Sequence, residues 1–206
     1  IWDNLNLRQS LSYDYINNTS ATFWDRRSGD GDDYNGLLQR IIATHERLNT
    51  QTQLTYEKTF NEVHNVDALL GFETEDYQYA WLYASGYDYP GLKTELQNAG
   101  TRDAESGKTR SKMVSYLGRL NYNYADKYYV SASYRMDGTS RLSRDNRWGS
   151  FWSASGSWRF MQESFMEDLK SVLTDGKLRA SYGVNGTLPS DYYGYMTLYS
   201  YGWMYN

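Results

Sequence analysis

The feature that most constrains the fold is an alternation of apolar and polar residues with a period of two. The stretch 128–137 shows the alternation most clearly. Its even positions are Tyr128, Val130, Ala132, Tyr134 and Met136, and its odd positions are Tyr129, Ser131, Ser133, Arg135 and Asp137. Successive side chains of a strand point to opposite faces, so the pattern predicts strands with one apolar and one wet side. The predicted strands cover residues 2–15, 38–60, 65–83, 112–124, 128–138, 147–160, 177–183 and 195–206.

Hydropathy excludes a transmembrane helix but leaves a membrane sheet open. The longest apolar runs are only a few residues long, such as Ala68-Leu69-Leu70, whereas a spanning helix needs about 20 apolar residues. The mean hydropathy of −0.79 is common in soluble proteins. A membrane β-barrel has a similar value because its strands alternate apolar and polar residues.

The composition and the dispersal of reactive side chains argue against several functions. The absence of Cys excludes a disulfide framework and thiolate metal sites, and the net charge of −4 lacks the basic surplus of a nucleic-acid binder. An acidic loop around Asp30 lacks the Gly and Glu of a calcium loop, and His45 and His64 have no partner at metal-ligand spacing. We therefore predict no catalytic residues, no metal, no cofactor and no enzymatic activity.

The predicted connections alternate in length. Residues 61–64 and 125–127 form short turns, and the longer polar connections are 16–37, 84–111, 138–146 and 184–194. Outer-membrane barrels have short periplasmic turns and long extracellular loops. One connection on the short side, 161–176, is long, and its apolar residues predict a helical turn or two.

The two faces of the predicted sheet differ in chemistry. The apolar face contains Tyr, Trp, Leu, Val and Ala, with aromatic residues near strand ends, as at a membrane interface. Five arginines on the polar face are the candidate lumen-facing residues: Arg8, Arg119, Arg135, Arg159 and Arg179. A small soluble barrel would fill its interior with apolar side chains, so these charges predict a wide lumen that is filled by water or by a plug.

Aromatic residues in the predicted long loops are candidate contacts to substrate or to a lid protein. They are Trp24, Tyr34, Tyr83, Tyr87, Tyr89, Tyr192 and Tyr193. Such rings can stack on sugars or hold a peptide. The alternative is that they pack the loops onto the rim of the barrel, because aromatic residues make up 17% of the whole chain.

Three blocks of sequence follow one another over residues 114–186. They are 119–141 (RLNYNYADKYYVSASYRMDGTSR), 146–159 (NRWGSFWSASGSWR) followed by 163–166 (ESFM), and 178–186 (LRASYGVNG). In order and spacing they resemble the barrel of the SusC/RagA-like TonB-linked outer-membrane transporters of Bacteroidetes. Weaker similarity at 54–60 and 64–73 extends the resemblance towards the N-terminus.

The resemblance implies both a fold and a function. Members of that family have an N-terminal plug inside a barrel of about 22 strands, and they import glycans or peptides under a SusD-like surface lipoprotein. The TonB complex supplies energy through a short N-terminal box. Neither plug nor box is recognisable in residues 1–206, so the resemblance implies an all-β, antiparallel transmembrane barrel segment of about eight strands, embedded in the lipid bilayer of the outer membrane.

The alternative is a complete small barrel of eight strands with a structural or adhesive role, which about 200 residues can build. The chain begins and stops inside predicted strands, and its charged face suits a lumen wider than eight strands allow. We therefore expect an open sheet in which residues 2–15 and 195–206 do not pair.

Overall fold

A computed structural model describes residues 2–27, 29–91 and 94–196, and its strands form a sheet in which sequence neighbours pair. The strands are β1 (Leu5–Trp24), β2 (Leu37–Phe60), β3 (His64–Tyr87), β4 (Thr101–Tyr124), β5 (Tyr128–Thr139), β6 (Trp148–Trp158) and β7 (Leu178–Val184). Over these residues the sheet is open, with β1 and β7 at its two edges. In the part of the chain that the structure describes, no helix is long and apolar enough to cross a membrane.

The predicted antiparallel all-β fold is confirmed, but several strands are longer than predicted. β1 continues to Trp24, beyond the predicted end at residue 15, and β4 begins at Thr101 and not at residue 112. Most residues in these extensions are polar, and the few apolar ones do not alternate regularly with them. No alternation therefore marks these strands, although backbone hydrogen bonds form regardless of side-chain polarity. The predicted eighth strand, 195–206, lies almost wholly outside the described residues.

The register confirms the predicted division of side chains between two faces. Val130 of β5 pairs with Tyr122 of β4 and Gly156 of β6, whereas Ser131 pairs with Asn121 and Ser155. Paired residues of an antiparallel sheet share a face. Val130 and Ser131 therefore belong to an apolar and a polar row respectively, as the alternation predicts.

Two connections are tight turns. Asn61 and Glu62 between β2 and β3, and Ala125 and Asp126 between β4 and β5, have φ values of 49° to 62°, the left-handed region that tight hairpin turns use. The connection between β6 and β7 is long and contains two 3-10 helices, Phe160–Gln162 and Ser164–Ser171. The predicted helical turns in this connection are confirmed.

The chain divides into two compact units. The first comprises Ile1–Leu11, Asn49–Glu75 and Lys112–Asn206, and the second comprises Ser12–Leu48 and Asp76–Ser111. The second unit has a small core of Leu38, Tyr89 and Ala99, with Leu96 packed against it. The first unit contains β5–β7, in which the faces of the sheet are most clearly separated.

Candidate functional site

One face of the sheet in the first unit is apolar and uncovered. Its central row runs across Leu120, Ala132, Ala154 and Tyr182 on four successive strands. Val130 is 57% exposed and Tyr182 is 69% exposed. Soluble proteins rarely expose a contiguous apolar surface of this extent, whereas the strands of outer-membrane barrels turn such a band towards lipid.

Aromatic side chains border this apolar face at both ends of the strands. At one end Tyr124 and Tyr128 stack with ring centroids 6.3 Å apart, and at the other Tyr116 and Trp148 stack at 6.2 Å. Tyr124 lies eight positions after Tyr116 on β4, which is about 26 Å along the strand. After the usual strand tilt this is about 20 Å along the membrane normal, similar to the apolar band of about 25 Å between the aromatic girdles of outer-membrane barrels.

Arg135 is the centre of a hydrogen-bonded network on the opposite, polar face. Its Nε donates to Asp137 at 2.7 Å, and its Nη2 donates to the Ser115 hydroxyl at 3.0 Å and pairs with Glu73 at 3.1 Å. The Gln51 amide donates to the other Glu73 oxygen at 2.6 Å. The network joins side chains from β2, β3, β4 and β5, and it compensates the charge of Arg135 on a face that remains partly hydrated.

A second set of hydrogen bonds crosses the same face. The Asn121 amide donates to Asp67 at 2.6 Å and accepts from the Ser131 hydroxyl at 2.6 Å. The hydroxyls of Ser133 and Ser153 are 2.7 Å apart. Small hydroxyl and amide side chains thus link β3 to β6 laterally, and they form a wet surface in place of a dry core.

A groove of about 710 Å³ lies along the polar face. Its lining includes the carboxylates of Glu57 and Asp67 and the cations of Lys177 and Arg179, with Asn, Ser and Thr residues among them. The Lys177 ammonium lies 4.2 Å from the centre of the Tyr129 ring. This groove offers many hydrogen-bond donors and acceptors of both charges, which suits contact with hydrated polar chains.

The structure brings three of the five predicted lumen-facing arginines onto one face. Arg119 pairs in register with Ser133, and Arg179 pairs with Ser157, on the same face as Arg135. Arg159 follows the end of β6 and forms an ion pair with Asp175 at 3.4 Å. Arg8 is an exposed residue of β1. That these residues face a lumen stays a prediction.

The predicted loop positions of the aromatic residues are wrong in three cases. Trp24 and Tyr87 are the last residues of β1 and β3, and Tyr83 lies within β3. Tyr89 does lie in a loop, but it is only 1% exposed and packs edge-on against Phe23 at 5.5 Å. Buried in this way, Tyr89 stabilises the loops of the second unit and is not available to contact a substrate or a lid.

The other predicted loop aromatics remain accessible. Tyr34 is exposed and its ring lies 6.1 Å from Tyr87. Tyr192 is half-buried under the guanidinium of Arg141, which lies 4.2 Å above its ring, and Tyr193 is also half-buried. These three residues are the accessible members of the predicted set that lie in loops, and Tyr87, at the end of β3, is also exposed.

The acidic loop of the second unit is organised by an ion pair and by hydrogen bonds. Arg27 donates to both carboxylate oxygens of Asp25, which lowers the pKa of Asp25 to about 2. The Asn35 amide donates to Asp88 at 2.7 Å. Sequence reasoning identified the cluster of acids here but not these partners, because they depend on how the loop folds.

Sequence reasoning also missed a cluster at the end of the strands around Glu163. The Tyr128 hydroxyl and the Trp158 indole donate to one carboxylate oxygen of Glu163, at 2.6 and 3.1 Å, and Lys127 lies 3.3 Å from the other. These donors lower the pKa of Glu163, the Tyr128 hydrogen bond being the largest cause. The sequence offers two signals for Glu163: it closely follows the end of a predicted strand, and it begins the block 163–166 that carries the family resemblance.

Comparison with known proteins reveals relatives of one kind. The TonB-dependent receptor SusC of Bacteroides thetaiotaomicron is 31% identical over 196 residues, a match that covers 95% of this chain and 19% of that protein. The TonB-dependent receptor P39 of Formosa agariphila is 31% identical over 175 residues, covering 80% of this chain and 17% of that one. No protein-family model matches the sequence.

The fold is also that of a solved structure. The structure of the RagAB peptide transporter superposes with a TM-score of 0.84 at 22% identity, covering 93% of this chain and 22% of that one. The chain spans about a fifth of the length of the curated relatives that it matches. With its exposed apolar band, its aromatic borders and these relatives, the chain belongs to the SusC/RagA-like family of TonB-dependent receptors and is a β-barrel segment of the bacterial outer membrane.

Proposed function

We propose that the chain forms part of the barrel wall of a TonB-dependent importer of nutrients. The observation that carries this proposal is the pairing of an exposed apolar face with a charged, hydrogen-bonded face on the same strands. Strands with this division separate lipid from an aqueous or plugged interior. Residues 1–206 belong to the barrel domain in this proposal, and other parts of the full-length protein supply the plug and the TonB box.

The polar face is the wall of the lumen in this proposal. Arg8, Arg119, Arg135, Arg159 and Arg179 line the lumen or contact the plug. Ion pairs that remain hydrated contribute at most about 1 kcal/mol each, so they allow a plug to be held and rearranged without a large energetic barrier. The groove beside Glu57 and Arg179 offers both charges to such a partner.

The long loops face the outside of the cell and a SusD-like lipoprotein in the proposed assembly. Tyr34, Tyr87, Tyr192 and Tyr193 are its accessible aromatic contacts. Tyr rings stack on sugars and pack against peptides, so glycans and peptides are both suitable substrates. The likeness to RagAB, which is a peptide transporter, supports the peptide class.

A growth experiment tests the proposed import. A strain lacking the full-length receptor is grown with single glycans or peptides as the limiting nutrient, and it is complemented with the wild-type receptor or with a receptor lacking its TonB box. We expect one nutrient to support growth only with the wild-type receptor. A folded receptor whose loss changes growth on none of these nutrients would contradict the proposal.

The structural or adhesive small barrel remains the alternative function. It requires the first and last strands to pair, and in the described residues β1 and β7 are the edges of the sheet. The intact mass of the native protein separates the two. A mass near 24 kDa supports the small barrel, and a mass several-fold larger supports the importer.

A further inference from the structure

The connection between β6 and β7 is unlike the tight turns of the same sheet. The turn between β4 and β5 occupies residues 125–127, whereas residues 159–177 separate β6 from β7. Both connections lie at the same end of the strands, because Tyr128 pairs with Trp158 and Trp158 pairs with Leu178. Short turns mark the periplasmic end of outer-membrane barrels, so this long connection is at the periplasmic end.

The connection is a folded structure that is fixed to the strand ends. Gly176 lies so close to Phe160 and Met161 that an added Cβ would be 2.5 and 2.7 Å from their side chains, and Met161 is buried. Glu163 accepts hydrogen bonds from Tyr128 and Trp158 immediately before the 3-10 helix Ser164–Ser171 begins. The Tyr128 hydroxyl and the Trp158 indole N–H, which belong to aromatic residues of the apolar face, thus fix the start of this helix at the ends of β5 and β6.

The helix and the residues after it expose large apolar side chains. Phe165 is 66% exposed and Val172 is 80% exposed, and Leu169 and Leu173 are also exposed. The ring of Phe165 lies 6.3 Å from that of Trp158. Since Trp158 pairs with Tyr128 and Leu178 on the apolar face of the sheet, the apolar surface of the connection continues the surface that faces lipid.

We propose that residues 164–173 form an anchor that lies in the periplasmic leaflet of the outer membrane, parallel to its plane. Phe165, Leu169, Val172 and Leu173 enter the boundary between headgroups and acyl chains, and the carboxylate of Glu167 stays among headgroups and water. Interfacial helices bury their apolar side chains about 5–10 Å deep in this way. Tyr128 and Trp158 hold Glu163, immediately before the segment. Tyr and Trp are the residue types enriched at the interface between the membrane and water. The anchor fixes the depth of β6 and β7 in the bilayer.

Spin labelling of the full-length receptor tests this anchor. Single cysteines replace Val172 in the segment, Val130 on the apolar face and Glu62 in the tight turn between β2 and β3, in a background without other cysteines. Each nitroxide-labelled receptor is reconstituted in vesicles of phosphatidylethanolamine and phosphatidylglycerol. Collision with oxygen, which concentrates in lipid, is compared with collision with a water-soluble nickel chelate.

We expect the ratio of oxygen to nickel accessibility at residue 172 to exceed that at residue 62 at least about twofold, and to be below that at residue 130. Nickel accessibility equal to that at residue 62 would overturn the anchor, and so would low accessibility to both reagents, which would show that another part of the receptor covers the segment. Leu173→Cys repeats the measurement if Val172→Cys does not fold. A wet label at residue 130 would contradict the lipid-facing sheet itself, so the two failures are distinguishable.

Discussion

At the scale of single residues, neighbours on one strand lie in different solvents. Val130→Arg in the full-length receptor should reduce the amount of folded barrel, because an arginine facing lipid near mid-membrane costs about 2–4 kcal/mol. Ser131→Arg should be tolerated better, since Ser131 lies on the polar face beside Asn121. The measurement is the heat-modifiable, folded fraction in outer membranes.

The two variants are matched in depth and strand context because they are adjacent. Equal loss for both would mean that β5 does not separate lipid from a wet interior. The reverse order would mean that the polar face is the outer one, and it would remove the main physical support for the importer.

Arg135 permits a second prediction at this scale. Arg135→Met removes the cation between Glu73 and Asp137, so we expect it to lower the free energy of unfolding of the receptor. Arg135 is partly exposed and the pairs are screened by water, so the loss should be about 1 kcal/mol. Urea titration of the folded barrel measures it.

Arg179→Met is the control for this substitution, because Arg179 is an exposed residue of the edge strand β7. It should change the unfolding midpoint less than Arg135→Met does. A larger effect at Arg179 would show that the network around Arg135 does not stabilise the polar face.

At the scale of elements, the alternation of apolar and polar residues predicts those properties of a strand that depend only on the local sequence. It predicts the faces of β4–β6 because each side chain is assigned by its neighbours one and two positions away. It does not predict the ion pair between Arg135 and Glu73, since Glu73 lies on β3, far from Arg135 in the sequence. Nor does it predict the burial of Tyr89, which depends on how its loop packs against Leu38 and Ala99.

The connection between β6 and β7 gives a pH-dependent prediction. The hydrogen bonds from Tyr128 and Trp158 lower the pKa of Glu163, so its contribution to stability is present above the ordinary Glu pKa of about 4.3 and is lost as the pH falls through the lower, folded-state value. Glu163→Gln should therefore destabilise the receptor at neutral pH, and the difference from wild type should shrink in that acidic range. Unfolding midpoints of both proteins at a series of pH values measure it.

Glu167→Gln provides the comparison for this titration, because Glu167 is an exposed carboxylate in the same 3-10 helix. Its effect at neutral pH should be smaller than that of Glu163→Gln. A difference between wild type and Glu163→Gln that persists unchanged at low pH would show that the charge of Glu163 does not hold the connection in place.

At the scale of the whole molecule, strand direction decides how this sheet can close. In an antiparallel sheet whose strands pair in sequence order, β1 and β7 run in the same direction. Single-chain bacterial outer-membrane barrels have an even number of antiparallel strands, so β1 and β7 need at least one further strand between them. A barrel of only eight strands leaves an interior that side chains fill, which leaves little room for Arg119, Arg135 and the groove on the polar face.

The resulting prediction is that residues 2–15 and 195–206 do not pair in the full-length receptor. Each variant carries two cysteines, one within 5–11 and one within 198–204. We expect no disulfide between them within one chain, because further strands of a wide barrel hold the two segments apart. Ser133→Cys with Ser153→Cys is the positive control, since these residues are direct partners whose hydroxyls lie 2.7 Å apart, within reach of a disulfide. Efficient cross-linking between 5–11 and 198–204 would show that the strands close into a small barrel. The charged polar face would then have to be packed in the interior of that barrel.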